Sequence, residues 1–287
     1  MIHIPVLLKE AIKYLDVKAK GIYVDATLGF GGHSKEILKR AKKGLLIGIE
    51  WDESALKEAK VNLEKFKNKK LILENFVNLK KILKKLKIEE IDGILFDLGV
   101  NLAQLQDSKR GFSFQKEGPL DMRMTEDLDL TASEIVNKWP EKELIRIFKE
   151  NNERFARKIA RKIVREREKK PILTTLELAN IVKSCYRKRR KIHPATLVFQ
   201  ALRIEVNKEL ENLKLVLPQA VDSLKKGGRL VVISFHSGED RIVKTFIKEE
   251  KRLINLTKKP IVPTPLEIRK NPRARSAKLR AAEKIGE

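Results

Sequence analysis

The chain has 287 residues, 42% of them apolar and 36% charged, with a formal net charge of +24 and an isoelectric point near 10.0. That length suits one large domain or two. So large a positive excess is more than an enzyme of small metabolites needs, and a polyanion partner, most often nucleic acid, explains it economically; the plainer alternative is a lysine-rich solvated surface. Cys185 is the single cysteine and the histidines number four, which excludes an internal disulfide and a cysteine-cluster zinc site, and no metal is expected. No apolar run approaches the ~20 residues of a membrane span. The opening residues 1–10 lack the basic-then-apolar layout of a signal peptide, so a cytoplasmic chain without membrane contact is expected.

In chain order, short apolar runs alternate with helical patterns. Strands are predicted at residues 21–25, 45–50, 71–73 and 93–97, with helices at 34–40, 54–65 and 79–86 between them. This alternation predicts a parallel sheet covered on both faces. After Asp97 the pattern changes, with helices predicted at 132–138, 141–150, 153–167 and 175–184 and no convincing strand. A long helix at 194–224 comes next, with Pro218 as its candidate break, and then a fifth strand at 229–235. The tail from Pro260 holds four prolines and reads as largely extended, with 277–282 a strand or a short helix. The expected organisation is a core of residues 1–104 and 206–287 with a helical domain, 105–205, inserted in it.

The end of the first strand and its downstream turn, Val24-Asp-Ala-Thr-Leu-Gly-Phe-Gly-Gly32, place a carboxylate and a glycine-rich segment before a helix. Glu50 closes the second strand. A strand, a glycine turn opening a helix and an acid about twenty residues on form the layout that holds an adenosine-bearing cofactor. Glycine lets backbone approach a ligand, helix amides point at it, and the acid can accept from ribose hydroxyls. The third glycine of the Gly-x-Gly-x-x-Gly fingerprint is missing, which favours S-adenosylmethionine over NAD. Asp97, in Asp97-Leu-Gly-Val100, ends the fourth strand, where it faces the cofactor or caps a turn. Phe76 stacks on adenine or belongs to the core. His236, in Ser234-Phe-His-Ser237, orients substrate or caps the fifth strand's turn. The cations at 154, 157, 158, 161, 162 and 165 share one helical face opposite Phe155, Ile159 and Ile163. Five further cations run from Arg187 to Lys191 and suit an RNA backbone.

These words resemble one family: the bacterial 16S ribosomal RNA cytosine-N4 methyltransferases of the MraW type. The resemblance rests on His3-x-Pro-Val-Leu7, Gly29-x-Gly-Gly-His-Ser34, Asp97-Leu-Gly-Val100, Arg110-Gly-Phe-Ser-Phe114 and Gly118-Pro-Leu-Asp-Met-Arg-Met124. It continues through Glu153-Arg-Phe-Ala156, His193-Pro-Ala-Thr196, Phe199-Gln-Ala-x-Arg203, Ser234-Phe-His-Ser237, Glu239-Asp-Arg241 and Asn271-Pro-Arg-Ala-Arg-Ser276. It implies an α/β fold with a class I S-adenosylmethionine-dependent, Rossmann-like methyltransferase core and an inserted helical substrate-recognition domain. It also implies methyl transfer to a cytosine N4 amine of 16S rRNA near the decoding centre (P site), in the small ribosomal subunit. By motif match, Gly31, Gly32, His33, Glu50, Phe76, Asp97 and Gln104 bind the cofactor; Asp97 and, second to it, His236 are the candidate catalytic residues. A homodimer is compatible with the resemblance, while the residues leave oligomeric state open. Three departures stand out: Glu50 where Asp is usual, Asn101-Leu-Ala in place of Ser-Ser-Pro, and Phe30 in place of a frequent Arg. Two rival readings are a nicotinamide-dependent oxidoreductase and a non-catalytic ribosome-assembly factor.

Overall fold

Strands β1 (Ile22–Asp25), β2 (Leu45–Glu50), β3 (Lys69–Leu73), β4 (Ile91–Asp97), β5 (Leu224–Ser234), β6 (Leu253–Asn255) and β7 (Lys278–Lys284) form one sheet in a computed structural model that describes residues 4–187 and 193–286. The order is β3-β2-β1-β4-β5-β7-β6. The first five strands run parallel, and β7 enters antiparallel between β5 and β6. The chain moves outward from β1 to β3, then returns to place β4 on the other side of β1. The gap between β1 and β4 is the switch point at which such sheets bind ligands.

Helices α1 (Leu8–Leu15), α2 (Gly32–Arg40) and α3 (Glu53–Asn62) cover one face of the sheet. Ile12, Leu15, Ile37, Leu38, Leu56 and Ala59 are buried there against Tyr23, Leu46, Leu95, Val231 and Ile233. α4 (Leu79–Lys85), α11 (Glu209–Ser223) and α12 (Ser237–Glu249) cover the other. There Leu79, Ile82, Leu213, Leu217, Val221 and Val243 meet Val24, Ile47, Phe96, Leu230 and Val232. Successive strand residues thus feed opposite cores, as the pleat requires, and burial on both faces explains the near-continuous apolar runs.

The chain divides into two compact units, residues 1–101 with 210–287 and residues 102–209. The second holds α5 (Leu102–Gln106), α6 (Ala132–Lys138), α7 (Glu141–Glu150), α8 (Ala156–Arg167), α9 (Thr175–Lys183) and α10 (Thr196–Val206). Reciprocal capping boxes, Thr131 with Glu134 and Thr174 with Glu177, start α6 and α9, satisfying amides that a first turn leaves free.

Three expectations are corrected. The helix predicted over 194–224 breaks at Asn207–Lys208, not at Pro218. The Asn207 side chain accepts from the Met124 amide and donates to the Met122 carbonyl, both at 2.8 Å, and Lys208 turns left-handed at φ 49°. Pro218 rides inside α11, whose buried apolar side outweighs the one lost hydrogen bond. The tail is not simply extended: it forms α13 (Pro265–Lys270), with Thr264 accepting from the Glu267 amide and Pro265 in the first turn. Third, helices α1, α5 and α12 and strand β6 are additions to the predicted elements.

Asp240 on α12 accepts from the Arg280 guanidinium of β7 at 2.6 Å, with both residues buried, and lies 3.3 Å from Lys278 Nζ. Removing one partner of a buried pair leaves the other charge uncompensated. Asp240→Ala is therefore expected to lower stability by about 3 kcal/mol, read from the shift in a urea denaturation midpoint.

Candidate cofactor and acceptor site

Asp25, Glu50 and Asp97 end three adjacent strands, in the spatial order β2-β1-β4. Asp25 pairs in register with Gly48 and Leu95. Glu50 and Asp97 lie two residues beyond those partners, so all three carboxylates leave the sheet on one face. Asp25 and Glu50 are buried, and Asp97 is half-buried. Burial pushes the Asp25 carboxyl up to about 6, against hydrogen bonds from Ser34 and Thr27 that favour its charge. Burial also lifts Glu50 to about 7, against backbone amides at Asp52, Gly29 and Trp51. Burial first, then the charges of Asp25 and Glu239, hold Asp97 well above the usual carboxylate range.

The first turn of α2 is tied to these acids. Ser34 Oγ donates to Asp25 Oδ2 at 2.6 Å, and the Asp97 amide donates to Thr27 Oγ1 at 2.5 Å. His33 Nε2 lies 3.0 Å from the Val6 carbonyl. A carbonyl needs a donor, so Nε2 carries hydrogen. His33 Nδ1 then faces Asp97 Oδ2 at 3.5 Å. Asp97 Oδ1 is buried and has no hydrogen-bond partner among the described residues, a costly arrangement that a ligand donor would relieve.

The three loop glycines divide their work in a way the sequence did not indicate. A Cβ on Gly31 would stand 2.8 Å from Leu63, and one on Gly32 would stand 2.4 Å from Pro5. Those two glycines clear room for the protein's own packing. A Cβ on Gly29, at φ 51°, would meet nothing beyond its chain neighbours nearer than the Thr27 carbonyl at 4.0 Å, so Gly29 is the glycine beside open space. Pro5 belongs to an N-terminal strap fixed from the far end of the chain. Glu267 of α13 accepts from the Leu7 amide at 2.7 Å, and Asn271 donates to the Ile4 carbonyl at 3.0 Å. His3 lies outside the described residues.

Glu50 does more than wait for a ribose. Its Oε2 accepts from the Gly29 amide at 2.8 Å, and Oε1 accepts from the Trp51 and Asp52 amides at 3.0 Å. A carboxylate offers about four acceptor sites, so these amides leave little spare capacity. Phe76 opens a 3-10 turn after β3, half-buried and edge-on to Phe96 at 5.8 Å and 87°. It is anchored to the core and still partly exposed. His236 caps α12: its Nδ1 accepts from the Gly238 amide at 3.2 Å, and Glu239 reciprocates from the third turn position. Its Nε2 is buried and lies 3.2 Å from Glu239 Oε1. Gln104 is buried in α5 of the second unit.

The match to known proteins spans the whole of this architecture. A family model described as the MraW methylase family fits residues 1–285. The chain belongs to the MraW methylase family. It is a methyltransferase, and S-adenosylmethionine is its methyl donor. A ribosomal RNA small subunit methyltransferase H from Carboxydothermus hydrogenoformans is 52% identical to it, covering 99% of this chain and 98% of that protein. The protein of the same name from Caldicellulosiruptor saccharolyticus is 50% identical, covering 99% of each. Among solved structures, a methyltransferase provisionally assigned in Streptococcus mutans, solved with SAH, aligns with a TM-score of 0.50 at 15% identity over 99% of this chain and 100% of that one; this likeness speaks to the fold. Open space beside Gly29 and the unpartnered, buried Asp97 oxygen both fit the donor of the MraW family.

In the second unit of this family member, α8 buries Ala156, Ile159, Ala160 and Ile163. Arg157, Lys158, Arg161 and Arg165 are exposed. Phe155, expected on the apolar face, is instead 43% exposed and stands edge-on to Tyr186 at 4.8 Å, because it precedes the helix. Of the five cations from 187 to 191, Arg187 is exposed; positions 188–192 lie outside the described residues. Among the described residues no helix is long and apolar enough to cross a membrane.

An ionised Glu50 accepts hydrogen bonds better than a protonated one, and burial places its titration near neutrality. Affinity for S-adenosylmethionine, measured by calorimetry across neutral pH, is expected to rise as Glu50 loses its proton through about 7. Glu50→Gln is expected to weaken binding and to remove that rise.

Proposed function

We propose that this methyltransferase moves the methyl group of S-adenosylmethionine to the N4 amine of a cytosine in 16S ribosomal RNA, in the decoding region near the P site, within the small ribosomal subunit of the cytosol. The observation that carries the cofactor half is the row of carboxylates at the ends of β1, β2 and β4, with Asp25 and Glu50 buried and Asp97 half-buried with its Oδ1 closed off from water. Desolvated acids favour a cationic ligand and oppose an anionic one. Membership in a methyltransferase family and the missing third glycine of the dinucleotide fingerprint count against the oxidoreductase reading. The relatives named as small-subunit RNA methyltransferases, the net charge of +24 and the cationic side of α8 support the RNA half.

The geometry supports the following residue roles. Gly31, Gly32 and His33 build the turn beneath the cofactor, with Gly29 beside the open space. Glu50 meets the ribose, and Phe76 offers a ring edge for the adenine. Gln104 is assigned to the cofactor by the family motif. Bound S-adenosylmethionine supplies an electrophilic methyl on a positive sulfur, and that charge favours the ionised form of the acids around it.

The cytosine amine is a weak nucleophile, because its lone pair is delocalised into the ring. Asp97 Oδ1, buried and unpartnered, accepts a hydrogen bond from that amine and favours its pyramidal form. When the new C–N bond exists, the nitrogen is acidic; its N–H bond breaks and the proton passes to the Asp97 carboxylate, whose environment favours holding it. The His33 ring lies beside Oδ2, with its Nδ1 3.5 Å away. His236 is a positioning residue that fixes the start of α12. Holding the two reactants in line supplies much of the rate. The target base must leave its stack or lie in a single strand to be reached, and the second unit carries the surface that holds the surrounding RNA.

Asp97→Asn is expected to lower kcat about a hundredfold, the scale of losing one aimed polar group, while RNA retention persists. The assay is labelled methyl transfer to small subunits from cells lacking this activity, with mass mapping of the RNA. Unimpaired turnover removes Asp97 from the mechanism, and no transfer by the unaltered enzyme favours a non-catalytic assembly factor. On α8, replacing Arg157, Arg161 and Arg165 with Gln is expected to flatten the salt dependence of RNA binding by about one unit of slope for each phosphate no longer neutralised, read from binding isotherms at several salt concentrations.

A further inference from the structure

Phe114 and His193 come from separate segments of the second unit and lie face to face. Their ring centroids are 4.6 Å apart, with planes 28° from parallel. Phe199 of α10, 4% exposed, meets Phe114 edge-on at 4.9 Å and 73°. The stack therefore runs outward from a buried ring, through a half-buried one, to an imidazole that is exposed to solvent.

The outer ring is fixed in orientation. His193 Nδ1 accepts from the Ala195 amide at 3.2 Å. The His193 carbonyl accepts from the Thr196 amide at 3.0 Å, where α10 begins. A nitrogen that accepts carries no proton, so the ring is the neutral tautomer with its hydrogen on Nε2. Burial, and then the nearby charge of Lys183, hold its titration below the ordinary histidine range, in keeping with that tautomer. Lys183 is exposed, and so is Lys116, two residues beyond Phe114.

A histidine kept for packing alone would be buried, and one kept as a solvated cation would not be stacked and locked as an acceptor. A rigid, flat, neutral ring exposed to water with an ammonium group near it is an arrangement that suits single strands. Bases stack on the ring, and cations meet the phosphates. Locking the ring beforehand lowers the ordering cost of binding. An aromatic side chain of a protein could stack as well, but the Lys183 charge beside the ring and the net charge of +24 favour a polyanion.

The geometry points to a base-stacking platform: an unpaired nucleobase of the RNA stacks on the outer face of His193, backed by Phe114 and Phe199, while Lys183 meets an adjoining phosphate. This assignment rests on the RNA substrate proposed above and adds where a second, unmodified base is held.

The test compares the wild-type enzyme with His193→Ala, His193→Phe and His193→Leu. The binding probe is a short single-stranded RNA carrying 2-aminopurine at each position in turn, whose fluorescence falls on stacking. Methyl transfer to small ribosomal subunits gives kcat and KM. Wild type and His193→Phe are expected to quench the probe at one position. His193→Ala is expected to bind about tenfold more weakly, within the range for one stacked base, to lose the quench, and to raise KM with kcat unchanged. Thermal melting and S-adenosylmethionine affinity on the same variants report the fold separately. If His193→Ala melts early, His193→Leu, which fills the space without a π face, decides between stacking and packing. A KM and quench equal to wild type in the well-folded non-aromatic variant, or no quench by wild type at any position, overturns the platform. Absence of methyl transfer by wild type is a different result and overturns the substrate assignment instead.

Discussion

Three carboxylates at the ends of neighbouring strands, two buried and one half-buried, set the terms for the rest of the site. Asp25, Glu50 and Asp97 share one face of the sheet because each lies an even number of residues from a common register. Removing such groups from water is unfavourable, and the fold offsets that cost with donors drawn from the surrounding backbone and from Ser34. For Asp25 and Glu50 the offset is extensive, with backbone amides on both oxygens of Glu50. For Asp97 one oxygen has no partner among the described residues. The fold leaves one strong acceptor unmet at the switch point between β1 and β4, where the topology directs ligands. The methyl donor's positive charge and the acceptor's amine hydrogens are the two chemistries that complete it.

The glycine turn that carries α2 over these acids is held from both ends of the chain. Pro5 fills the space that Gly32 leaves, and the Val6 carbonyl engages His33. Leu7, at φ 50° in a region unfavourable for its side chain, turns the strap so that Glu267 receives its amide. Leu7 and Glu267, 260 positions apart in the chain, thus meet beside one loop. The cofactor loop is consequently a tertiary object, although its sequence is local. His33 brings that object to within 3.5 Å of Asp97.

Opposite demands divide the two units. The first unit gathers desolvated acids, whose ionised form a small cationic ligand favours. The second presents positive charge and an exposed aromatic ring, features suited to a phosphate backbone and an unpaired base. Overall charge is a sum over both and reports the larger partner, so +24 coexists with an acidic site.

The strand ends, the parallel alternation and the helical insert were legible in the sequence because each depends on local pattern: apolar runs, glycine beside a carboxylate, and helical period. Asp25, Glu50 and Asp97 could be placed at one edge for the same reason, since a strand's last residue is a local property. Local signals for α13 were also there, Thr264-Pro265 with Glu267 three residues on, and proline content masked them. Only the tertiary structure decided that Gly31 and Gly32 serve Leu63 and Pro5, that Glu50 turns back on the Gly29 amide, that the long helix breaks at Asn207, and that β7 slots antiparallel beside β5. Each of these depends on which distant atom fills a space or meets a hydrogen-bonding group, and that is fixed by packing rather than by the order of residues along the chain.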